Sequence, residues 1–452
     1  MKNRWKRLTS ICLALALTAT TAAMGGCQPG ETQSTPPQSS NPEESKTSEA
    51  SGFQTDELIE LRWLSSQIGE SAESGWFSKV VEGFNKEYEG KIKINVDGVA
   101  GEAANDKLKS DAATGTMPDL YMLSADAARF NLIANSGHGV DLMPYMEKNA
   151  DLWDKVDKDS AAAYTDKDGH LLGLPYAKSY IGIYYNTKLT ADAGITEMPK
   201  TWDEFFAACD KLKAKGVAPV TMMTGENSWT TMLILSHLLG ATPDGVKWLQ
   251  YKPETVKFNE PAFIAAAEKL QRILKDYTTA DAVGATYAVA ENNFLNEKTA
   301  IVSNGPWMIA NFSSDKAAEG LDKNIKFALA PESGVIQSEN ISYGIGSSDP
   351  KKAEAAFEVL KYLARPEVYA EFLNVSANSP CIELDTSLLE LDPINKEFLP
   401  QALDSQNKYG QFSNCVKAAV TDGLGQLLPD LANGSMTPEQ FATKLQEISD
   451  KN

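Results

Sequence analysis

Glu60-Leu61-Arg62-Trp63-Leu64, Lys91-Ile92-Lys93-Ile94-Asn95-Val96 and Asp119-Leu120-Tyr121-Met122-Leu123 are three short apolar or alternating runs, each with the look of a strand. Between the first two, Gly75 to Tyr88 repeats its large apolar residues at helical spacing. Trp76, Val80, Val81 and Phe84 share one face. Between the second and third, Ala104 to Ala113 reads as another helix, stopped by Gly115 and Pro118. The order strand, helix, strand, helix, strand predicts an α/β fold with a mostly parallel, doubly wound sheet. Such sheets bind ligands beyond the carboxyl ends of their strands. That directs attention to Ser65, Ser66 and Gln67 after the first strand, and to Ser124, Ala125 and Asp126 after the third.

The second half repeats the style. Ile181-Gly182-Ile183-Tyr184-Tyr185 predicts a strand closed by Asn186. Thr201 and Glu204 form a capping box for a helix through Lys213, with Trp202, Phe205, Cys209 and Leu212 along its buried face. Phe263 to Leu274 and Lys352 to Tyr362 predict further amphipathic helices. Lys298 to Ser303 predicts a strand running into Asn304-Gly305-Pro306-Trp307.

Composition narrows the function. The chain has 452 residues, ample for two or three domains, and a formal charge of −19, which argues against nucleic-acid binding. Five cysteines without a CxxC pair, and three histidines (His138, His170, His237) without metal-ligand spacing, exclude a zinc ribbon and a disulfide scaffold. No metal or cofactor is implied. Lys2, Arg4, Lys6 and Arg7 precede an uncharged run from Leu8 to Met24, the pattern of a secretory signal. The signal ends in Met24-Gly25-Gly26-Cys27, which resembles a bacterial lipobox. That resemblance implies cleavage of residues 1–26 and lipidation of Cys27. Losing four basic residues and no acidic ones takes the charge from −19 to −23. Residues 28–55 are rich in Pro, Ser, Gln and Glu, so 27–55 reads as the lipidated cysteine and a disordered tether. Cys209, Cys381 and Cys415 are then the remaining thiols, and a Cys381–Cys415 bridge stays open.

Five motifs occur in order along the body: Phe84-Asn85-Lys86-Glu87-Tyr88 before the KIKINV strand; Gly115-Thr116-Met117-Pro118-Asp119-Leu120; Gly169 to Tyr176 followed by Tyr184-Tyr185-Asn186; Pro199-Lys200-Thr201-Trp202-Asp203-Glu204; and Asn304-Gly305-Pro306-Trp307. With them, the chain from about residue 58 onward resembles the extracellular solute-binding proteins of ABC importers, in the carbohydrate-binding family that includes maltose-binding protein. The resemblance implies a two-lobed, periplasmic-binding-protein-like fold. Each lobe would be a mostly parallel sheet flanked by helices, with the ligand in a cleft between lobes. Lobe one would take 56–177 plus 344–393, and lobe two 178–343 plus 394–452. It further implies a monomeric, non-enzymatic receptor. Tethered to the outer face of the bacterial cytoplasmic membrane, it would capture a mono- or oligosaccharide and deliver it to the importer's membrane subunits.

Sugars offer apolar C–H faces and a rim of hydroxyls, so aromatic rings and a dense polar set should meet them. By the resemblance, Trp307 in the NGPW turn is the stacking ring, against a role as a core tryptophan under the turn. Trp229, with Asn227 and Glu226 in the Gly225-Glu226-Asn227-Ser228 loop, is the second ligand contact, or else a helix-start anchor. Asp126 matches a family aspartate that accepts from sugar hydroxyls, against a role as cap of the next helix. Ser65 and Gln67 fall in the post-strand loop. Tyr176 and Ser179 fall at the first lobe crossing, and Tyr343 at the second, where it serves ligand or hinge. Asn304 contacts ligand or shapes its own turn. Gln411-Phe412-Ser413-Asn414 departs from the aromatic pair of maltose-binding protein, leaving Phe412 or Tyr409 as replacements. Lys178 is read as a solvated lysine or a partner for an acidic sugar.

The competing reading is a secreted, lipid-anchored glycan hydrolase, which needs two carboxylates about 5–5.5 Å or about 6.5–9.5 Å apart. No nucleophile elbow appears, and no internal repeat supports a structural lipoprotein.

Overall fold

Ten strands were found in a computed structural model that describes residues 53–69, 72–101, 103–125 and 127–451. The expected order opens the chain. Strand β1 (Ile59–Ser65) leads through helix Ala72–Glu87 to β2 (Ile92–Gly98), and through helix Ala103–Thr114 to β3 (Leu120–Leu123). β1 pairs in parallel with β2, from Ile59 opposite Ile92 to Ser65 opposite Gly98, and with β3 at Trp63 opposite Leu120. Of the apolar face expected for β2, Ile92 and Ile94 are buried, whereas Val96, toward the end of the strand, is 43% exposed.

β4 (Leu174–Asn186), β5 (Ala218–Val220), β6 (Thr299–Asn304), β7 (Ile325–Ala328), β8 (Gly334–Ile345), β9 (Ser379–Pro380) and β10 (Asn407–Tyr409) complete the set. The main strand order is β2-β1-β3-β8-β4-β6-β5. Parallel pairing holds for β1–β2, β1–β3, β5–β6 and β8–β10, while β4 and β8 enter antiparallel to their other neighbours. β4 and β8 run side by side from Leu174 opposite Tyr343 to Ile181 opposite Ile336. Their register shifts twice between Pro175 and Ser179, where bulging bends the strand.

These two long strands connect separate cores. One core gathers Trp63, Trp76, Phe84, Tyr121, Tyr176, Tyr343, Leu360 and Phe372. Another gathers Ile183, Trp202, Phe205, Leu235, Trp248, Phe263, Phe412 and Leu445. A smaller third packs Tyr184, Phe312, Phe327 and Phe398. The chain passes from the first core to the others near residues 177–181, 336–341 and 377–398.

Local signals were realised as read. Thr201 Oγ1 accepts from Glu204 N at 3.2 Å and Glu204 Oε2 accepts from Thr201 N at 3.2 Å, closing the capping box. Cys209 is fully buried on the inner face of that helix. Asp119 braces its turn, accepting from Arg62 N at 2.7 Å and Lys352 Nζ at 3.2 Å.

Candidate functional site

A cleft of about 1910 Å³ lies where the ends of these elements meet. That is above the roughly 300–1,000 Å³ usual for a drug-sized ligand, so the space admits something larger or still open to solvent. Residues of the β1 loop, the helices Ala103–Thr114 and Ala127–Ser136, and β3 line one part. The 226–229 loop, Tyr287, Trp307, Asn311 and the start of helix Ala418–Asn433 line the other.

Trp229, Tyr287 and Trp307 stand together with their rings partly exposed. Ring centroids of Trp229 and Tyr287 are 4.9 Å apart, and those of Trp229 and Trp307 are 6.1 Å apart. Trp229 and Tyr287 are held by hydrogen bonds. Asn227 Oδ1 accepts from Trp229 N at 3.3 Å. Tyr287 N donates to Glu226 at 3.1 Å, and the Tyr287 hydroxyl donates to Glu291 at 2.9 Å. Burial, then the charge of Glu291, pushes the Tyr287 phenol well above its ordinary pKa, so it stays a donor. Glu291 also accepts from Asn311 Nδ2 at 2.7 Å. The NGPW turn requires its glycine: a Cβ at Gly305 would meet the Trp307 ring at 2.1 Å.

The polar lining carries two orphan donors. Gln67 is 7% exposed and accepts the Tyr343 hydroxyl at 3.3 Å, yet its Nε2 has no acceptor. Asn378, 3% exposed, accepts from Ser179 Oγ through its Oδ1, and its Nδ2 has none. Buried donors are rarely left so. Among charged groups on the lining, Glu73, Asp106, Glu226, Glu254 and Asp422 outnumber Lys109, Arg129 and Lys417. Lys109 and Asp422 pair at 3.7 Å. Among the described residues, no group of three His, Cys, Asp or Glu side chains is arranged to hold a metal.

Of the residues singled out from sequence, Trp307, Trp229, Gln67, Asn227 and Glu226 line the cleft, as do Ser66 and Ser124 after the first and third strands. Asp126 and Cys27 lie outside the described residues. The others are placed elsewhere. Ser65 is buried and accepts from Gln67 N at 3.1 Å, shaping the loop rather than facing the cleft. Tyr176 is packed against Trp76, Tyr343, Tyr369 and Phe372, its hydroxyl donating to Leu363 O at 2.9 Å. Tyr343 is wholly buried and reaches the cleft only through Gln67. Ser179 positions Asn378. Asn304 is buried and accepts from Gly305 N at 2.8 Å, so it shapes the turn. Phe412 stacks on Trp248 and Tyr409 bonds His237, so neither replaces the missing aromatic platform. Lys178 is neither solvated nor free; it pairs with Asp157. Cys381 and Cys415 are free thiols, as is Cys209.

Sequence reasoning missed Tyr287 and Asn378. Tyr287 follows Thr286, which caps helix Tyr287–Leu295, and a helix-start aromatic beside an acidic loop was the available signal. Asn378 follows Ala377, held at φ 52°, and nothing in its sequence neighbourhood announces the cleft.

The fold and its cleft define a two-lobed α/β binding protein. Residues 69–370 match the family described as bacterial extracellular solute-binding protein. The chain belongs to that family and is an extracytoplasmic solute receptor of the ABC-importer kind, as its motifs implied. It is 23% identical to the sn-glycerol-3-phosphate-binding periplasmic protein UgpB of Rhizobium meliloti (strain 1021), over 73% of this chain and 76% of that protein. It is 24% identical to the galactooligosaccharide-binding protein of Bacillus subtilis (strain 168), over 83% of this chain and 86% of that one. Among solved structures, a chitin oligosaccharide binding protein superposes with a TM-score of 0.78 at 26% identity, covering 87% of this chain and 98% of its own.

Proposed function

We propose that this chain captures an uncharged carbohydrate outside the membrane and presents it to the membrane subunits of an importer, without catalysing a reaction. The observation that carries this reading is the aromatic wall of Trp229, Tyr287 and Trp307, facing a lining rich in amides and hydroxyls. Partly exposed rings beside orphan amide donors suit a sugar's apolar face and hydroxyl rim. The names of the relatives point two ways, to saccharides and to glycerol phosphate. The acidic excess on the lining favours the uncharged ligand. The lobes are taken as 56–177 plus 344–393 and 178–343 plus 394–452, a division supported by the separate cores. Ligand contact with both would favour closure by hinge motion at the crossings. Lipidation of Cys27 would hold the receptor at the outer face of the membrane, with residues 28–55 as its tether.

The test is a tryptophan-fluorescence titration with mono- and oligosaccharides. Trp307→Ala and Trp229→Ala should each weaken the bound sugar about 10-fold or more. Unchanged affinity in both variants would overturn the site, and saturable turnover of the sugar would overturn the receptor reading.

A further inference from the structure

One ion pair joins two parts of the molecule that have separate cores. Lys109 lies on helix Ala103–Thr114, whose Leu108 and Ala112 belong to the core of Trp63 and Trp76. Asp422 lies on helix Ala418–Asn433, whose Val420 and Leu424 belong to the core of Trp202 and Trp248. The Lys109 ammonium and the Asp422 carboxylate stand 3.7 Å apart, and both residues line the cleft, so the pair spans it. Among the described residues it is the one ion pair between helices of these two cores. Each charge is carried by a helix that its own core holds in place. The separation of the pair therefore follows the separation of the cores.

We propose that Lys109 and Asp422 form a reversible clasp across the cleft, which favours the narrowed, ligand-holding arrangement and makes retention of an uncharged ligand depend on ionic strength. This rests on the receptor reading above. Within one rigid body, a pair so exposed contributes little: the two side chains are 60% and 64% exposed. Between two bodies that move, the same small attraction acts on an equilibrium, because it exists only while the cleft is narrow. Parting the two groups leaves no buried charge behind, and Lys109 then keeps Asp106 one turn earlier on its own helix. The clasp can thus open at little cost. An uncharged ligand makes no ion pair of its own, so a salt-dependent affinity reports on the protein's charges. The competing role is direct contact of Lys109 and Asp422 with the ligand, and a charge swap separates the two.

Calorimetric titration and stopped-flow dissociation test this on wild type, Lys109→Glu, Asp422→Lys, the two substitutions combined, and Lys109→Met. The probes are glucose, maltotriose, raffinose, xylotriose and triacetylchitotriose, and the tightest binder is carried through the series. Each single reversal should weaken it about 3-fold or more at low salt, mainly through faster dissociation, since a repulsion replaces an attraction. The combined swap should return affinity to within about 1.5-fold of wild type. Wild-type affinity should fall about 2-fold or more from about 0.01 M to about 1 M salt, over which the Debye length shrinks from about 30 Å to about 3 Å. Lys109→Met should show no such fall. Wild-type affinity in both single reversals, or a wild-type affinity unmoved by salt, would overturn the clasp and leave the receptor reading standing. Weakened singles that the combined swap does not restore would also overturn it, in favour of direct ligand contact. No probe binding to folded wild type would overturn both.

Discussion

His237 offers a quantitative test of the packing behind the cleft. It lies on helix Trp229–Leu239, wholly buried, and ties three elements together. Its Nε2 is 3.1 Å from Ser303 Oγ and its Nδ1 is 2.8 Å from the Tyr409 hydroxyl. Ser303 donates its own hydrogen to Gly182 O at 3.2 Å, so it accepts from Nε2–H, and Nδ1 accepts from Tyr409. The network assigns a neutral ring. Burial pushes the imidazole down to about 3 from its ordinary 6.5. A folded pKa below the unfolded one means stability that is full above pH 6.5 and drains away as pH falls toward 3. Between pH 7 and pH 4.5 the linkage amounts to about 2.5 kcal/mol. His237→Asn cannot titrate, and should be less stable than wild type at pH 7 by about 1–3 kcal/mol from the orphaned partners. At pH 4.5 its deficit should shrink by about 2.5 kcal/mol, since only wild type carries this linkage. Guanidinium unfolding followed by circular dichroism, at both pH values, reads the difference directly. A deficit constant to within about 0.5 kcal/mol would mean that His237 is not held neutral by burial.

Two further outcomes bear on the site and the thiols. Gly305→Ala would place a Cβ 2.1 Å from the Trp307 ring, so the ring must move. Sugar affinity should fall as far as in Trp307→Ala, with a stability loss of about 1–3 kcal/mol, and fluorescence binding that matches wild type would contradict the role given to that turn. Burial pushes the Cys209 thiol up to about 12 and those of Cys381 and Cys415 higher still. A protein expressed from residue 28 onward, lacking Cys12 and Cys27, should therefore react with an aromatic disulfide reagent only after unfolding, at all three positions; rapid labelling of the native protein, or fewer thiols after unfolding, would speak against three buried free cysteines.

The α/β alternation was legible because both periods are strong in the residues themselves. Leu61 and Trp63, and Trp76, Val80 and Phe84, are buried where the strand and helix periods put them. What the sequence hides is depth. Tyr176 and Tyr343 carry hydroxyls and sit at crossings, so they resemble ligand residues, yet their rings complete an aromatic core whose members come from far along the chain. Ser65, Ser179 and Asn304 are polar for a different reason: each satisfies a neighbouring loop group that burial would otherwise orphan. Polarity at a strand end therefore marked the neighbourhood of the cleft correctly without telling which residue faces it. Gln67 and Asn227 face it, and Asn378 comes to it only through tertiary pairing of β9 with β4.

The aromatic wall also explains the strained backbone beside it. Glu226 and Ser228 hold φ of 50° and 55°, conformations that non-glycine residues avoid at about 1 kcal/mol or more each. Gly225 lets this loop approach the backbone of Gly284 and Ala285, where a Cβ would meet Gly284 O at 2.6 Å. The strain is offset by what the loop then does. Glu226 reaches Tyr287 N, Asn227 reaches Trp229 N, and two rings from separate helices are fixed side by side before any ligand arrives. Glu291, bonded to both Tyr287 and Asn311, extends the same support to the segment that carries Trp307. A platform ordered in advance avoids the loss of side-chain freedom that binding would otherwise impose, about 0.5–1.5 kcal/mol for each immobilised side chain. That gain is of the same size as the strain stored at Glu226 and Ser228, which gives a physical reason for a loop without glycine at those two positions to persist beside the ligand cleft.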